Sequence, residues 1–168
     1  ISRYDFKKIV FLNKGDKSVK SFTCMNLLTV MLYAQMTTKM SLRDICNGLR
    51  SKVNYWYHLS LKALSRNNLS HSLMKRPCEI FETIFYRLLE KLQAERGMIN
   101  DKRFKFKNPL RTIDSTTISL CLSLFEWAKF RRAKGGIKLH MMFNNKEQLP
   151  DFINMTEAKQ HDINAAFS

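Results

Sequence analysis

The amino-acid sequence predicts an α+β protein in which an all-helical N-terminal module precedes a β-rich domain. Up to about residue 97, apolar side chains recur at the spacing of a helix. After residue 111 they alternate with polar ones, which is the period of a strand. A basic connector that contains Pro109 separates the two patterns. The predicted organisation is a helical module at residues 1–99, a linker at 100–111, and the first strands and the start of a helix at 112–168.

Two helical patterns open the chain. FKKIVFL, residues 6–12, is a short amphipathic piece that ends at the loop signal Asn13-Lys14-Gly15-Asp16. A longer pattern runs from Ser21 to about Met36. Its apolar face is predicted to consist of Phe22, Met25, Leu28, Met31, Leu32 and Met36.

Three more helical segments follow. Ser41 with Asp44 three residues later resembles a capping box and marks a helix start. The cluster Tyr55-Trp56-Tyr57 is expected to lie in the core rather than to stack on bases. SRNNLSHSLMKR, residues 65–76, is short and polar. Pro77 suits the first turn of the last helix, which ends near Gly97. The apolar stripe of that helix is Ile80, Phe81, Ile84, Phe85, Leu88, Leu89 and Leu92.

The second part reads as strand, strand, strand, helix. RTIDSTTISL, residues 111–120, is rich in β-branched residues, which favour strands. In IKLHMMFN, residues 137–144, apolar and more polar side chains alternate. Asn144-Asn145-Lys146 is a turn signal, and QLPDFINMTEA after it is predicted to be the returning strand.

The charge of the chain points to a polyanionic partner. The 29 Lys and Arg residues outnumber the 14 Asp and Glu residues and leave a net charge of +15. Such a chain is attracted to nucleic acid first and to an anionic membrane surface second. The alternative is that the charge only aids solubility. Because the cations are clustered and interleaved with aromatic residues, we expect nucleic acid to be the partner.

The cysteines and the hydropathy of the chain limit the cellular compartments in which the protein is expected. Cys24, Cys46, Cys78 and Cys121 form no C-x-x-C pair and have no histidine at zinc-ligand spacing. They are expected to be small buried residues in a reducing compartment. No signal peptide and no apolar run long enough for a membrane span is present. We therefore expect a cytoplasmic protein without a membrane partner.

The candidate DNA-binding residues fall in the helical module, in the connector and in the strand region. SLRDICNGLR and SRNNLSHSLMKR are interpreted as two helices of a DNA-reading unit, with Asn67, Asn68 and His71 reaching base edges. The alternative is a helical bundle with a charged exterior. The full candidate set is Arg43, Arg66, Asn67, Lys75, Arg76, Lys102, Arg103, Lys105, Lys107, Arg131, Arg132, Lys138 and His140.

Asp114 is the candidate catalytic residue. It stands inside a predicted strand, where Asp is depleted. A carboxylate fixed on a strand is a suitable ligand for a hard cation such as Mg²⁺, and two such ions can drive phosphoryl transfer. The alternative is a solvated edge residue or a turn former. Lys138 and His140 either approach a phosphate beside Asp114 or are, respectively, a solvated residue and a histidine satisfied near the sheet edge.

Several short motifs, read together, resemble the DDE-type transposases. These are Ile113-Asp114-Ser115-Thr116, then Gly136-x-Lys138-x-His140, then Pro150 leading to His161-Asp162. The nearest group is the insertion-sequence "four" family. The first part resembles the helical domain of uncharacterised type that precedes the catalytic domain in many members. Its matching pieces are Lys20-Ser21-Phe22, the run from Ser41 to Ile45, Tyr57-His58-Leu59, and Arg66-x-x-Leu69-Ser70.

The resemblance implies an RNase H-like fold, with Asp114 as the first of three catalytic carboxylates that hold Mg²⁺ (or Mn²⁺). The intact enzyme would bind terminal inverted repeats, cleave a strand, and join the freed 3′-hydroxyl to target DNA. A homodimer on the DNA is compatible with this role.

The second and third acids of the family would lie beyond Ser168. We therefore expect an N-terminal fragment that is inactive alone. Asp151 lies outside the motifs of those acids, and Asp162 is interpreted as a helix N-cap. The alternatives are a non-catalytic DNA-binding relic that represses transposition and, more remotely, an RNA-binding protein, of which the sequence carries no signature.

Overall fold

A computed structural model describes residues 1–96, 110–120, 129–131, 134–145 and 149–159. In these residues the helices are α1 (Arg3–Leu12), α2 (Cys24–Met36), α3 (Leu42–Arg50), α4 (Val53–Trp56), α5 (Arg66–Lys75) and α6 (Glu79–Arg96). The strands are β1 (Arg111–Leu120), β2 (Lys129–Arg131), β3 (Lys134–Asn144) and β4 (Leu149–Glu157). The α+β class is therefore confirmed, because helices and an antiparallel sheet occupy different parts of the described chain.

Serine or threonine side chains start four of the helices. Ser2, Thr23, Ser41 and Ser65 each accept a hydrogen bond from the backbone N–H three residues later. This interaction satisfies a backbone donor that the helix itself leaves without a partner. The start predicted at Ser41 is confirmed, since its Oγ lies 3.1 Å from the Asp44 amide nitrogen. Helix α2 begins at Cys24 rather than at Ser21, because Thr23 and Asn26 form a reciprocal capping box.

Helix α2 contributes to both hydrophobic clusters of the helical region. Its residues Leu27, Val30 and Ala34 pack with residues of α3 and α5, whereas Cys24 packs with residues of α1 and α6. The face predicted for this helix is therefore partly wrong: Leu32 is 53% and Met36 is 84% exposed. The helix is apolar on most of its circumference, so spacing alone did not single out the buried face.

Two further expectations about burial are wrong. Tyr55 and Tyr57 are 60% and 89% exposed, so these two residues do not lie in the core. Trp56 is half-buried, and its indole Nε1 donates to the Leu49 carbonyl oxygen at 2.9 Å. Cys78 is exposed, whereas Cys24 and Cys46 are buried free thiols as expected. Cys121 lies outside the described residues.

The chain divides into two compact units, residues 1–88 and 89–168. Residues 100–109 of the predicted linker lie outside the described residues. In the described chain, none of the helices combines the length and the apolar character that a membrane crossing requires.

The sheet of the second unit is built around β3. Strand β1 pairs antiparallel with β3 along its whole length, and β4 pairs antiparallel with β3 on the other side. The short strand β2, which the sequence did not predict, pairs with the first residues of β3. The alternating pattern of residues 137–144 thus marks a central strand, and the returning strand predicted after Asn145 is confirmed as β4.

Candidate nucleic-acid interface

The N-terminal ends of α3 and α5 border a common cleft of about 500 Å³. Helix α3 contributes Arg43, and α5 contributes Arg66, Asn67 and Ser70. Each of these residues lies one to five positions after a serine N-cap. The two caps therefore determine where on the first turns of α3 and α5 these side chains are placed. The cleft brings together Arg43 and Arg66, which are 23 positions apart in the sequence.

The burial of α5 explains why this surface is turned outward. Leu69 is fully buried in the cluster that contains Ile45 and Leu49 of α3. Ser72, three positions later, is also buried. Because residues three or four apart share one side of a helix, the opposite side of α5 is left to solvent.

The solvent-facing side of α5 carries the side chains that the sequence analysis assigned to base contacts. Asn67, Asn68 and His71 are all exposed. Asn side chains can hydrogen-bond base edges in a duplex groove. The sequence analysis did not include Ser70, which lies three positions after Asn67 in the same cleft. That i, i+3 spacing was the signal that could have found it.

Lys75 and Arg76 have different environments although they are neighbours. The Lys75 side chain is exposed. The Arg76 side chain is only 11% exposed, and its Nε lies 3.9 Å from Asp16 Oδ1. One of its terminal nitrogens donates to the Phe22 carbonyl oxygen at 2.6 Å. The guanidinium of Arg76 is therefore engaged inside the helical unit.

The basic connector is described only at its end. Lys102, Arg103, Lys105, Lys107 and Arg132 lie outside the described residues. Arg131 is the last residue of β2 and is paired in register with Lys134. Arg111, at the start of β1, forms an ion pair with Asp151 of β4, in which Nε and Oδ2 are 2.6 Å apart. The carboxylate of Asp151 thus has a structural partner.

Asp114 stands in the middle of β1 and is exposed. Its Oδ1 accepts a hydrogen bond of 2.8 Å from the backbone N–H of Ser115. Its partner in register is Met141 of β3. Since residues directly opposite one another share a face of the sheet, Asp114 lies on the face of Leu139, Met141 and Phe143.

Lys138 and His140 lie on the other face. Their partners in register on β1 are Thr117 and Ser115, whose side chains point away from that of Asp114. His140 is fully buried, and its Nε2 shares a hydrogen bond of 2.8 Å with Thr156 Oγ1. The structure does not bring Lys138 or His140 beside the Asp114 carboxylate. His140 is therefore a buried, hydrogen-bonded residue of the central strand rather than a residue near the sheet edge.

The described residues do not form a metal centre around Asp114. No group of three His, Cys, Asp or Glu side chains that could hold a metal ion occurs in the described ranges. Asp162 lies outside them. One carboxylate does not supply the ligands that a divalent cation needs in a two-metal site, so no catalytic step can be derived from these residues alone.

Two comparisons relate the chain to known proteins. Residues 1–62 match the family described as "Domain of unknown function (DUF4372)". Over 91 residues the chain is 28% identical to the "Probable transposase for insertion sequence element IS5377" of Geobacillus stearothermophilus. The matched part is 54% of this chain and 24% of that transposase, so the chain spans about a quarter of the relative. No solved structure matches the chain significantly. Over about half of its length, the chain is therefore similar to a protein named as a probable transposase.

Proposed function

From this similarity to an insertion-sequence transposase, we propose that the helical unit is part of a DDE-type transposase and binds the DNA ends of its mobile element. The observation that carries the proposal is the cleft between α3 and α5, where Arg43 and Arg66 meet Asn67 and Ser70. Arginine pairs with phosphate through two parallel hydrogen bonds, and asparagine can read a base edge.

The two kinds of side chain have separate tasks in this proposal. Arg43 and Arg66 neutralise phosphates and set the register of the protein on the duplex, which gives affinity without sequence choice. Asn67, Asn68 and His71 on the exposed side of α5 contact base edges and supply sequence choice. Lys75 adds a further phosphate contact. Arg76 is not included, because its guanidinium binds Phe22 and Asp16.

The binding proposal is tested by fluorescence anisotropy with two labelled duplexes, a terminal inverted repeat and a scrambled sequence. The double variant Arg43→Gln/Arg66→Gln should weaken binding to both duplexes by about tenfold or more, because two phosphate contacts are lost. The matched control Lys8→Gln/Lys20→Gln removes the same charge from exposed positions outside the cleft.

Equal losses of affinity in the two double variants would show that net charge, not the cleft, drives binding.

The variant Asn67→Ala tests sequence choice. It should reduce the preference for the terminal repeat while it leaves binding to the scrambled duplex nearly unchanged. Equal affinity of the unmodified protein for the two duplexes would leave only generic polyanion binding.

The catalytic part of the proposal concerns the intact protein. Asp114 would be the first of three carboxylates that hold Mg²⁺ or Mn²⁺, and a metal bound there would supply electrostatic stabilisation for phosphoryl transfer. The proposal is supported by the exposed position of Asp114 in the middle of a ten-residue strand and by the resemblance of residues 113–116 to the family motif. The resemblance assigns neither of the other two carboxylates to a residue of this sequence.

The substitution Asp114→Asn in the full-length transposase should abolish cleavage of element-end DNA and leave DNA binding unchanged. Ile118→Ala is the matched control, since Ile118 is 43% exposed on the same face of β1, four positions away and outside the motif at residues 113–116. It should retain cleavage. Cleavage by the Asn variant would remove Asp114 from the active site.

A second candidate function is a DNA-binding protein that represses transposition without catalysis. The observation that favours it is that, within the described ranges, Asp114 belongs to no group of three His, Cys, Asp or Glu side chains that could hold a metal ion. The two functions differ in one measurement: the transposase cleaves element-end DNA in the presence of Mg²⁺, whereas the repressor only competes for the same DNA.

A further inference from the structure

A second surface of the helical unit is an apolar groove that the DNA-binding proposal does not use. It has a volume of about 1000 Å³ and is lined by residues between positions 3 and 60. All of these lie within the segment that matches the domain of unknown function. The groove is at or above the upper end of small-molecule pockets, which span roughly 300–1,000 Å³. Its size therefore favours a peptide segment over a small ligand.

One wall of the groove is helix α1. Phe6 and Val10 are buried and form its floor, whereas Phe11 borders it with 81% of its surface exposed. Arg3 and Lys7 lie on the same wall, one helical turn apart. Helix α1 has 10 residues and is therefore about 15 Å long, enough for nearly three turns of a bound helix.

The opposite wall is formed by α2 and by the loop after α4. Met25 and Thr29 belong to α2, and Leu59 belongs to the loop. The loop is held against α2 by a hydrogen bond of 2.8 Å from Asn26 Nδ2 to the Ser60 carbonyl oxygen. Because this bond fixes the second wall, the groove exists before any partner arrives, which lowers the ordering cost of binding.

The charges around the groove are nearly all positive. Arg3, Lys7, Lys14 and Lys17 line it and are exposed. The single acidic lining residue, Asp16, accepts a hydrogen bond from the Cys24 backbone N–H at 2.8 Å and pairs with Arg76. A nucleic-acid backbone would be excluded from the apolar floor, because phosphates lose hydration there without gaining partners.

We propose that this groove binds an amphipathic helix of a partner protein, in which acidic residues flank an apolar stripe. The apolar stripe packs on Phe6, Val10 and Phe11, and the acidic residues meet Arg3 and Lys7 along one side and Lys14 and Lys17 at one end. Helix-in-groove recognition of this kind uses apolar anchors at i, i+3, i+4 and i+7. The exposed cations mainly raise the association rate, and the apolar anchors mainly lower the dissociation rate.

The test uses the full chain and fluorescein-labelled synthetic helices of about 14 residues, which form nearly four turns. The first has Leu and Phe at the anchor positions with Glu on the flanks. The second keeps the anchors and carries Lys on the flanks, and the third is a scrambled acidic sequence. The acidic amphipathic peptide should bind at least about tenfold more tightly than the other two. Equal binding of all three, or no binding, would overturn the proposal.

Matched variants locate the binding site. Phe11→Ala should increase the dissociation constant of the acidic helix by about tenfold or more, the effect of losing a central aromatic anchor. Tyr4→Ala is the control, because Tyr4 is 76% exposed on the same helix and does not line the groove. An equal effect of the two variants contradicts the assignment. Circular dichroism checks that both variants fold, which their exposure favours.

Two competing occupants are distinguished by separate arms. Displacement of the peptide by stoichiometric sodium laurate, with tighter binding of laurate than of peptide, would identify an anionic amphiphile and overturn the proposal. Sedimentation velocity without peptide tests a second copy of the chain. A dimer that Phe11→Ala dissociates and Tyr4→Ala does not would assign the groove to self-association instead.

Discussion

At the scale of single residues, the guanidinium of Arg76 links three segments of the helical unit. It follows α5, donates to the carbonyl of Phe22 before α2, and pairs with Asp16 after α1. Asp16 in turn accepts from the backbone N–H of Cys24. A buried cation with such partners contributes to stability through hydrogen bonds that water would otherwise supply. Arg76, which the sequence analysis included among the DNA-binding candidates, thus connects segments within the helical unit.

The substitution Arg76→Met should lower the free energy of unfolding by about 2 kcal/mol, the range for a hydrogen bond to a charged group. Urea unfolding followed by circular dichroism measures the change. Lys75→Met is the matched control, because Lys75 is exposed and adjacent, and its effect should stay within about 0.5 kcal/mol. If Arg76→Met left the free energy of unfolding unchanged, the contacts of Arg76 with Phe22 and Asp16 would make no net contribution to stability.

The cysteines make a second prediction at this scale. Burial raises the pKa of the Cys24 thiol from 9.0 to about 12, and Asp16 adds to the rise; burial also raises the pKa of Cys46. In native protein near pH 9, iodoacetamide should therefore alkylate exposed Cys78 and spare Cys24 and Cys46. Peptide mass spectrometry measures the modification at each site. In guanidinium chloride all three should react.

The raised pKa of Cys24 also determines how the stability of the folded state changes with pH. The Cys24 thiol of the unfolded chain ionises near pH 9.0, whereas the folded protein holds its proton to about pH 12. The folded state is therefore favoured fully below pH 9 and loses this advantage as the pH rises towards 12. Rapid alkylation of Cys24 in native protein near pH 9 would contradict both statements.

At the scale of elements, the turn between α1 and α2 depends on a residue without a side chain. A Cβ added to buried Gly15 would collide with Cδ1 of Ile80 and would lie 2.9 Å from Sγ of Cys24. Both atoms belong to the cluster that joins α1, α2 and α6. A Cβ added to Gly48 in α3 would meet mainly the ends of the long Tyr33 and Lys39 side chains, which can move.

Two glycine substitutions separate these cases. Gly15→Ala should destabilise the protein by about 1–3 kcal/mol, because overpacking shifts core side chains or backbone. Gly48→Ala should be neutral or stabilising, since alanine is favoured over glycine in a helix by about 1 kcal/mol. Thermal unfolding of the two variants measures the difference. Equal midpoints would show that the space around Gly15 adapts without cost.

At the scale of the whole molecule, the charge of +15 predicts a strong dependence of DNA binding on salt. Each neutralised phosphate contributes about −0.9 to the slope of log K against log salt concentration. If about six phosphates are contacted, the slope is roughly −5, and the double variant Arg43→Gln/Arg66→Gln should make it less negative by about two. Anisotropy titrations at several salt concentrations give both slopes. A slope unchanged by the double variant would place the phosphate contacts elsewhere.

Several features of this molecule could be predicted from the sequence because they depend on neighbours along the chain. The change from helical to alternating spacing identified helices before strands. The Ser41 cap was predictable, since its hydrogen bond spans only three residues. Asp114 was predicted to lie on a strand, and it stands in the middle of β1. The positive charge required only counting.

What only the tertiary structure decided depends on contacts between distant residues. The face that α2 buries, the meeting of Arg43 with Arg66, and the pairing of Arg76 with Asp16 each need segments far apart in sequence to pack together. The register of β1 on β3 likewise decided that Asp114 and His140 lie on opposite faces. A shift by one residue would exchange those faces while leaving the local pattern of each strand unchanged, which is why the pattern alone could not choose.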